Sequence, residues 1–244
     1  ITLAGGIIGG LPQNTTREWN LSGVSIDVSS PLYIQSDGSN VFSTLIINGN
    51  AIFGFKEEEG IIIGDTADDG KKGRLIVNGA QFTSQGGQEN WNGIKMYNYT
   101  DDAGTVLDSC IIENAINGVY FQSSSPTIKN STFRNNDYGL FCDNGSAPTI
   151  TGNTFTENNI PISILAHRID GNLSGNQYFD NDNDYVHVYG DRDGGSWVRL
   201  GDNKTYNWSK DGAPYYLDTK VEVERENNGN QLAILNIESG TTIK

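Results

Sequence analysis

Three stretches decide the reading of this chain when written in register. They are Val106-Leu107-Asp108-Ser109-Cys110-Ile111-Ile112-Glu113-Asn114-Ala115-Ile116-Asn117-Gly118-Val119-Tyr120-Phe121, then Thr127-Ile128-Lys129-Asn130-Ser131-Thr132-Phe133-Arg134-Asn135-Asn136-Asp137-Tyr138-Gly139-Leu140-Phe141-Cys142, then Thr149-Ile150-Thr151-Gly152-Asn153-Thr154-Phe155-Thr156-Glu157-Asn158-Asn159-Ile160-Pro161-Ile162-Ser163-Ile164. Gly118 to Gly139 is 139 − 118 = 21 positions, and Gly139 to Pro161 is 161 − 139 = 22. A looser fourth copy runs through Leu173, Asn176, Tyr178 and Val186. A period in the low twenties, made of short alternating apolar pieces, is the mark of a solenoid.

Each copy divides into three short strands. Leu107, Ile128 and Ile150 belong to the first. Ile112, Phe133 and Phe155 belong to the second. Val119 with Phe121, Leu140 with Cys142, and Ile162 with Ile164 mark a third with alternating faces. Asn and Gly fill the corners because they tolerate the left-handed backbone of a sharp turn. No segment keeps a three-to-four-residue apolar period, so helices are not expected. These rungs resemble the right-handed parallel β-helix repeats of many secreted bacterial and archaeal proteins. The resemblance implies an all-β fold, a β-solenoid, and no particular activity.

Composition narrows the setting. The chain has 244 residues, with 16 Lys+Arg against 30 Asp+Glu, a net charge of −14. That balance argues against nucleic acid and anionic membrane surfaces, which need basic patches. It suits contact with water, cations or neutral glycans. No apolar run reaches the roughly 18 residues of a membrane span. The chain starts at Ile1 without Met, which suggests either processing or an artificially chosen start. Cys110 and Cys142 fall on different strands of neighbouring copies and read as two buried small apolar side chains, with a disulfide as the alternative. With no CxxC and no Cys/His cluster, zinc is not expected.

Taken in order, residues 1–44 read as an N-terminal edge or capping segment, 45–190 as the β-helix, and 191–244 as C-terminal strands. The Gly-rich start has no Lys-Ser/Thr after it and is no phosphate loop. Glu18 to Gly23 reads as a turn anchored by Trp19. From Leu45 the order is an L-x-I-x-x-G-x-x-I-like stretch one residue short, then Leu75-Ile76-Val77-Asn78-Gly79, Phe82-Thr83-Ser84 and Trp91-Asn92-Gly93-Ile94. This order is similar to a motif train of surface β-helix proteins and covers roughly residues 45–164. It implies a secreted or cell-surface location.

The last part repeats the first. Trp208 and Gly212 follow Trp19 and Gly23 by 189 positions, and Ile237 follows Ile47 by 190. Leu235 to Ile243 therefore reads as the start of a second copy of the unit, either as part of a longer tandem array or as a tail that continues a neighbour's β-helix. Its strand is expected to add to a neighbouring subunit, with Leu235, Ile237 and Ile243 as assembly residues.

Chemistry is sparse. The best catalytic candidates are His167-Arg168-Ile169-Asp170 and His187 with Asp191-Arg192-Asp193. No rung gathers two carboxylates and a base, so no catalytic residues are assigned. Asp180, Asp182 and Asp184 imitate the odd positions of a calcium loop with Asp191 twelfth, but Tyr185 stands where Gly is required. Adventitious calcium is the most that this allows, as at the acidic stretch Asp65 to Gly70; no cofactor is expected. Eight N-x-S/T sequons start at Asn14, Asn20, Asn98, Asn130, Asn144, Asn172, Asn203 and Asn207. Asn144 is the preferred modification candidate, followed by Asn20, Asn172 and Asn203, whereas Asn130 reads as close to the rung interior.

Two functions follow. The first is a structural, non-enzymatic cell-surface protein that self-assembles into an S-layer, sheath or filament through stacked strands, of the kind an archaeal sheath would use. The alternative is a carbohydrate-binding or carbohydrate-active β-helix, a lyase or glycosidase, with Trp91, Trp197 and Trp208 as exposed aromatics and surface glycans as partners. A row of outward aromatics and carboxylates on one face would favour it.

Overall fold

The computed structural model describes residues 2–3, 6–8, 15–36, 41–87, 91–143, 145–190, 197–201, 204–224 and 232–244. The chain winds as a parallel β-helix whose three long sheets are all parallel. The first face stacks eight strands, from Thr2–Leu3 to Gln177–Phe179. The second stacks nine, from Gly6–Ile8 to Tyr215–Leu217. The third stacks seven, from Thr16–Asn20 to Leu173–Ser174.

Alternation along each strand sends one set of side chains inward, and stacking turns each set into a column. On the first face Phe53, Phe82, Ile112, Phe133, Phe155 and Tyr178 follow one another in register. Their rings stack, with centroids 5.4 Å apart for Phe53–Phe82 and 5.1 Å for Phe133–Phe155. On the second face the column is Leu32, Ile61, Ile94, Val119, Leu140, Ile162, Val186 and Tyr215. On the third it is Trp19, Ile47, Val77, Leu107, Ile128, Ile150 and Leu173. Each large apolar side chain buried this way contributes about 1.5–3 kcal/mol.

The corners explain the asparagines. Backbone at a corner cannot join a sheet ladder, so its buried N–H groups need side-chain acceptors. One column runs Cys110, Ser131, Asn153, Asn176, Asp211. The Cys110 N–H donates to Ser131 Oγ at 3.0 Å, the Ser131 N–H to Asn153 Oδ1 at 2.9 Å, and the Asn153 N–H to Asn176 Oδ1 at 2.9 Å. A second runs Asn136, Asn158, Asn181, with the Asn136 N–H donating to Asn158 Oδ1 at 3.1 Å and the Asn158 N–H to Asn181 Oδ1 at 3.0 Å. Beside it, Asn114, Asn135, Glu157 and Asp180 all hold left-handed backbone, with φ between 54° and 59°. Gly118 and Gly139 serve a different need. A Cβ on Gly118 would lie 2.6 Å from the Gly139 carbonyl oxygen, and one on Gly139 would lie 2.5 Å from that of Pro161.

Several expectations change. The sheets do not begin at Leu45: Ser25–Val28 and Leu32–Ile34 are already full members of the coil, and Thr16–Asn20 is a strand, not a turn. The Gly-rich start contributes the strands Thr2–Leu3 and Gly6–Ile8. The second face continues past residue 190 into Tyr215–Leu217. Cys110 and Cys142 are free and buried, with no disulfide between them.

Candidate functional site

The strongest feature outside the core is the outward side of the second face. Lys95, Tyr120, Phe141, Ser163, His187 and Tyr216 follow one another in register there. Tyr120 stacks on Phe141 at 5.8 Å, Phe141 on Tyr189 at 5.8 Å, and Tyr189 on His187 at 6.0 Å. Tyr185 stacks on Tyr216 at 4.7 Å. Tyr120 donates its hydroxyl to Asp143 at 2.9 Å, and Tyr189 donates to the Cys142 carbonyl at 2.6 Å. Burial, then the Asp143 carboxylate, push the Tyr120 phenol up; burial pulls the Lys95 ammonium down.

Sequence reading finds the inward columns and misses this outward one. Its signal is the position between the two inward residues of each third strand, where Tyr120, Phe141, Ser163 and His187 recur. The orientation of the rings limits what the column can bind. A ring that stacks a sugar must offer its flat face to solvent. Here the faces turn toward one another along the coil.

His187 links two neighbours on this face. Its Nδ1 lies 2.9 Å from Ser163 Oγ, and its Nε2 lies 2.7 Å from Asp218 Oδ2. The composition matches a nucleophile–base–acid relay, but its geometry is that of a strut. Ser163 has no exposed surface, so no substrate carbonyl reaches its hydroxyl. His187 thereby ties Ser163–Asp218 across two rungs.

The other candidates do not gather. His167 and Arg168 lie in a short 3-10 turn, Ala166–Arg168, and Ile169 is buried. Asp170 accepts from the Asn207 backbone and side chain at 3.2 and 3.0 Å and pairs with Lys204. Asp191, Arg192 and Asp193 lie outside the described residues. Of the calcium-like run, Asp184 accepts from Asn181 N and Nδ2, at 3.2 and 2.7 Å, which caps the second asparagine column. Among the described residues no group of three His, Cys, Asp or Glu side chains is placed to hold a metal ion.

Two of the tryptophans expected at the surface are buried. Trp91 has no exposed surface; it stacks on Phe55 at 4.5 Å and donates Nε1 to the Glu113 carbonyl at 2.8 Å. Trp208 fills the core beside Tyr215. Trp197 begins the strand Trp197–Leu200, and its side chain lies outside the described residues. Among the sequons, Asn144, Asn203 and Asn14 also lie outside them. Asn20 is exposed, but its Oδ1 accepts from Asn48 at 3.0 Å. Asn172 is half-buried and donates Nδ2 to the Pro148 carbonyl at 2.9 Å. Asn130, read as interior, is exposed, because it occupies a left-handed corner with φ 51°.

The C-terminal part carries the assembly candidates. Thr205–Trp208 pairs with Ile234–Ile237 in parallel, with Tyr206 opposite Leu235 and Trp208 opposite Ile237. Trp19 stands opposite Ile47 in the same way. Leu235 and Ile237 therefore pair within the chain, and Ile243 forms a bridge with Tyr215. Leu235 packs against the core. The position shared by Ile47 and Ile237 differs sharply in environment: Ile47 is fully buried, whereas Ile237 is 46% exposed. Among the described residues no strand pairs with the outer edge of Ile234–Ile237.

A parallel β-helix with ordered corner ladders defines the class. Within that class, residues 12–217 match the family described as periplasmic copper-binding protein, NosD, and the chain belongs to it. Comparison with curated proteins and with solved structures gave no match. The family description is of a cell-envelope location, and among the described residues no helix is long and apolar enough to cross a membrane. The family name implies copper, which the sulfur and imidazole donors among the described residues do not fit. Cys110, Cys142 and Met96 are core residues, and both described nitrogens of His187 are already engaged.

Proposed function

We propose that the chain is a structural, non-catalytic protein of the cell surface that self-associates into a layer, sheath or filament, with its C-terminal strands as the contact. One observation carries this reading. Ile237 occupies a position whose earlier copy, Ile47, is wholly inside, yet nearly half of Ile237 is in water. Val223, Leu232, Ile234 and Ile243 are exposed in the same C-terminal part. Apolar side chains at an open strand edge favour addition of another strand.

The N-terminal edge of the third face differs from the C-terminal strand Ile234–Ile237, which belongs to a separate two-stranded sheet. In the outermost strand, Thr16–Asn20, the exposed Arg17 pairs with Leu45, in register with a column that continues with Leu75. A charged side chain on an edge strand blunts that edge against addition. Association therefore runs through the C-terminal edge, with the Arg17 edge guarded.

The glycan-binding alternative draws support from the tyrosines and carboxylates on the second face. It is the weaker reading because the ring faces are spent on one another. Electron micrographs of the purified chain across a concentration series test the proposal. Lattices, tubes or filaments that grow with concentration are expected. Dispersed single particles at every concentration would overturn it.

A further inference from the structure

We infer that the sulfur and imidazole side chains of this member of a copper-binding family form no copper site. Copper is held in proteins by imidazole, thiolate and thioether, with Cu(I) favouring sulfur and Cu(II) nitrogen and oxygen. The whole chain contains two Cys, one Met and two His. All five are among the described residues: Met96, Cys110, Cys142, His167 and His187.

The register keeps the sulfurs apart. Met96, Phe121 and Cys142 follow one another in a single inward column of the second face. Stacked strands lie about 4.8 Å apart, so two rungs separate Met96 from Cys142 by roughly twice that. Phe121 fills the space between them. No single ion reaches both sulfurs at bonding distance. Cys110 belongs to a different place, the corner column that continues with Ser131 and Asn153.

Access and protonation point the same way. Met96 and Cys142 have no exposed surface, and Cys110 has 1%. A thiol must lose its proton to bind a metal. Burial pushes Cys110 up to about 12, and burial raises Cys142 as well.

The imidazoles complete the inventory. His187 is held by Ser163 on one nitrogen and Asp218 on the other. A metal at either nitrogen would have to break one of these bonds. His167 follows the strand Ile160–Leu165 in the turn Ala166–Arg168, whereas His187 is in the next strand of the second face, Val186–Tyr189. In that face His187 pairs with Ser163, four positions before His167. A strand advances about 3.3 Å per residue, so the two rings are not presented to a common ion.

Equilibrium dialysis of the folded full chain tests this, with Cu(I) under reducing, anaerobic conditions and with Cu(II) in air, each against a competing chelator. The expected result is no stoichiometric Cu(I), and Cu(II) retained only at chelator-sensitive levels that His187→Gln leaves unchanged; one chelator-resistant equivalent of Cu(II) lost in His187→Gln would overturn the inference. The thermal midpoint should be unchanged by either ion. One equivalent of Cu(I) that survives the chelator and is lost in Cys142→Ser or Met96→Leu would overturn the inference. So would a copper-dependent rise in thermal midpoint in the unsubstituted chain. Circular dichroism of each variant separates loss of a site from loss of the fold.

Discussion

Asn176 gives both its backbone and its side-chain N–H groups to one carboxylate, that of Asp211. The backbone donates at 3.2 Å and the side chain at 2.9 and 3.0 Å. Asp211 thus ends the corner column that begins at Cys110, and Tyr178 also donates its hydroxyl to it. Desolvation raises the Asp211 carboxyl above its ordinary value of 3.8, and the bonds from Tyr178 and Asn176 oppose the rise.

The sign of that shift sets a pH dependence. The folded state holds the Asp211 proton more tightly than the unfolded chain does. Its contribution is therefore largest below 3.8 and is lost as pH rises through the higher folded value. Asp211→Asn keeps the acceptor oxygen and removes the titration. Its stability should decline less between pH 4 and 7 than that of the parent, measured by urea midpoints at each pH. Parallel curves would remove Asp211 from this role.

Asn158 is the interior link of the second column. Its Oδ1 accepts from the Asn136 backbone and side chain, at 3.1 and 2.9 Å, and its Nδ2 donates to the Phe133 carbonyl at 2.9 Å. Asn158→Ala leaves buried groups without partners and should cost about 2–4 kcal/mol, summed over the orphaned groups. Denaturant unfolding reads this directly, and a loss within about 0.5 kcal/mol, the scatter of ordinary surface changes, would mean that the column is ornamental.

Glu157 holds left-handed backbone, φ 56°, at a position where the preceding two rungs place Asn114 and Asn135. Left-handed backbone costs an ordinary residue about 1–2 kcal/mol, and Asn less. Glu157→Asn should raise stability by about 0.5–1 kcal/mol. A lower unfolding midpoint would show that the Glu157 side chain matters more than its backbone.

Gly139 tests how closely the rungs approach. A Cβ there would meet the Pro161 carbonyl oxygen at 2.5 Å and the Phe155 ring at 2.9 Å. Gly139→Ala should cost about 1–3 kcal/mol as overpacking. Stabilisation by the smaller entropy of the unfolded chain would place the rungs further apart than the geometry does.

Much of this architecture is legible in sequence because the period repeats both the inward residues and the corners. Phe133 over Phe155 and Leu140 over Ile162 follow from spacing alone. The first rungs are not legible this way. Tyr33, Ile62 and Lys95 stack in register, yet the chain between them varies in length, so no fixed period survives. The outward face was hidden for another reason: Tyr120, Phe141, Ser163 and His187 share a position but not a residue type. Tryptophans mislead because a wide ring reads as surface until its neighbours are known, as Phe55 shows for Trp91. The repeat of Trp19 and Ile47 at Trp208 and Ile237 is visible in sequence, but the difference in burial between the two isoleucines is not.

That difference is the basis of the proposed association, and one measurement tests it most directly. Sedimentation velocity is run on the full chain and on a chain lacking residues 231–244, at matched concentrations up to the solubility limit. Ile237→Glu serves as a second variant that keeps every strand. The full chain should sediment as species that grow with concentration, while both variants stay monomeric and Ile237→Glu keeps the far-ultraviolet circular dichroism of the full chain. Identical distributions for all three, or a full chain that remains a monomer throughout, would contradict the account.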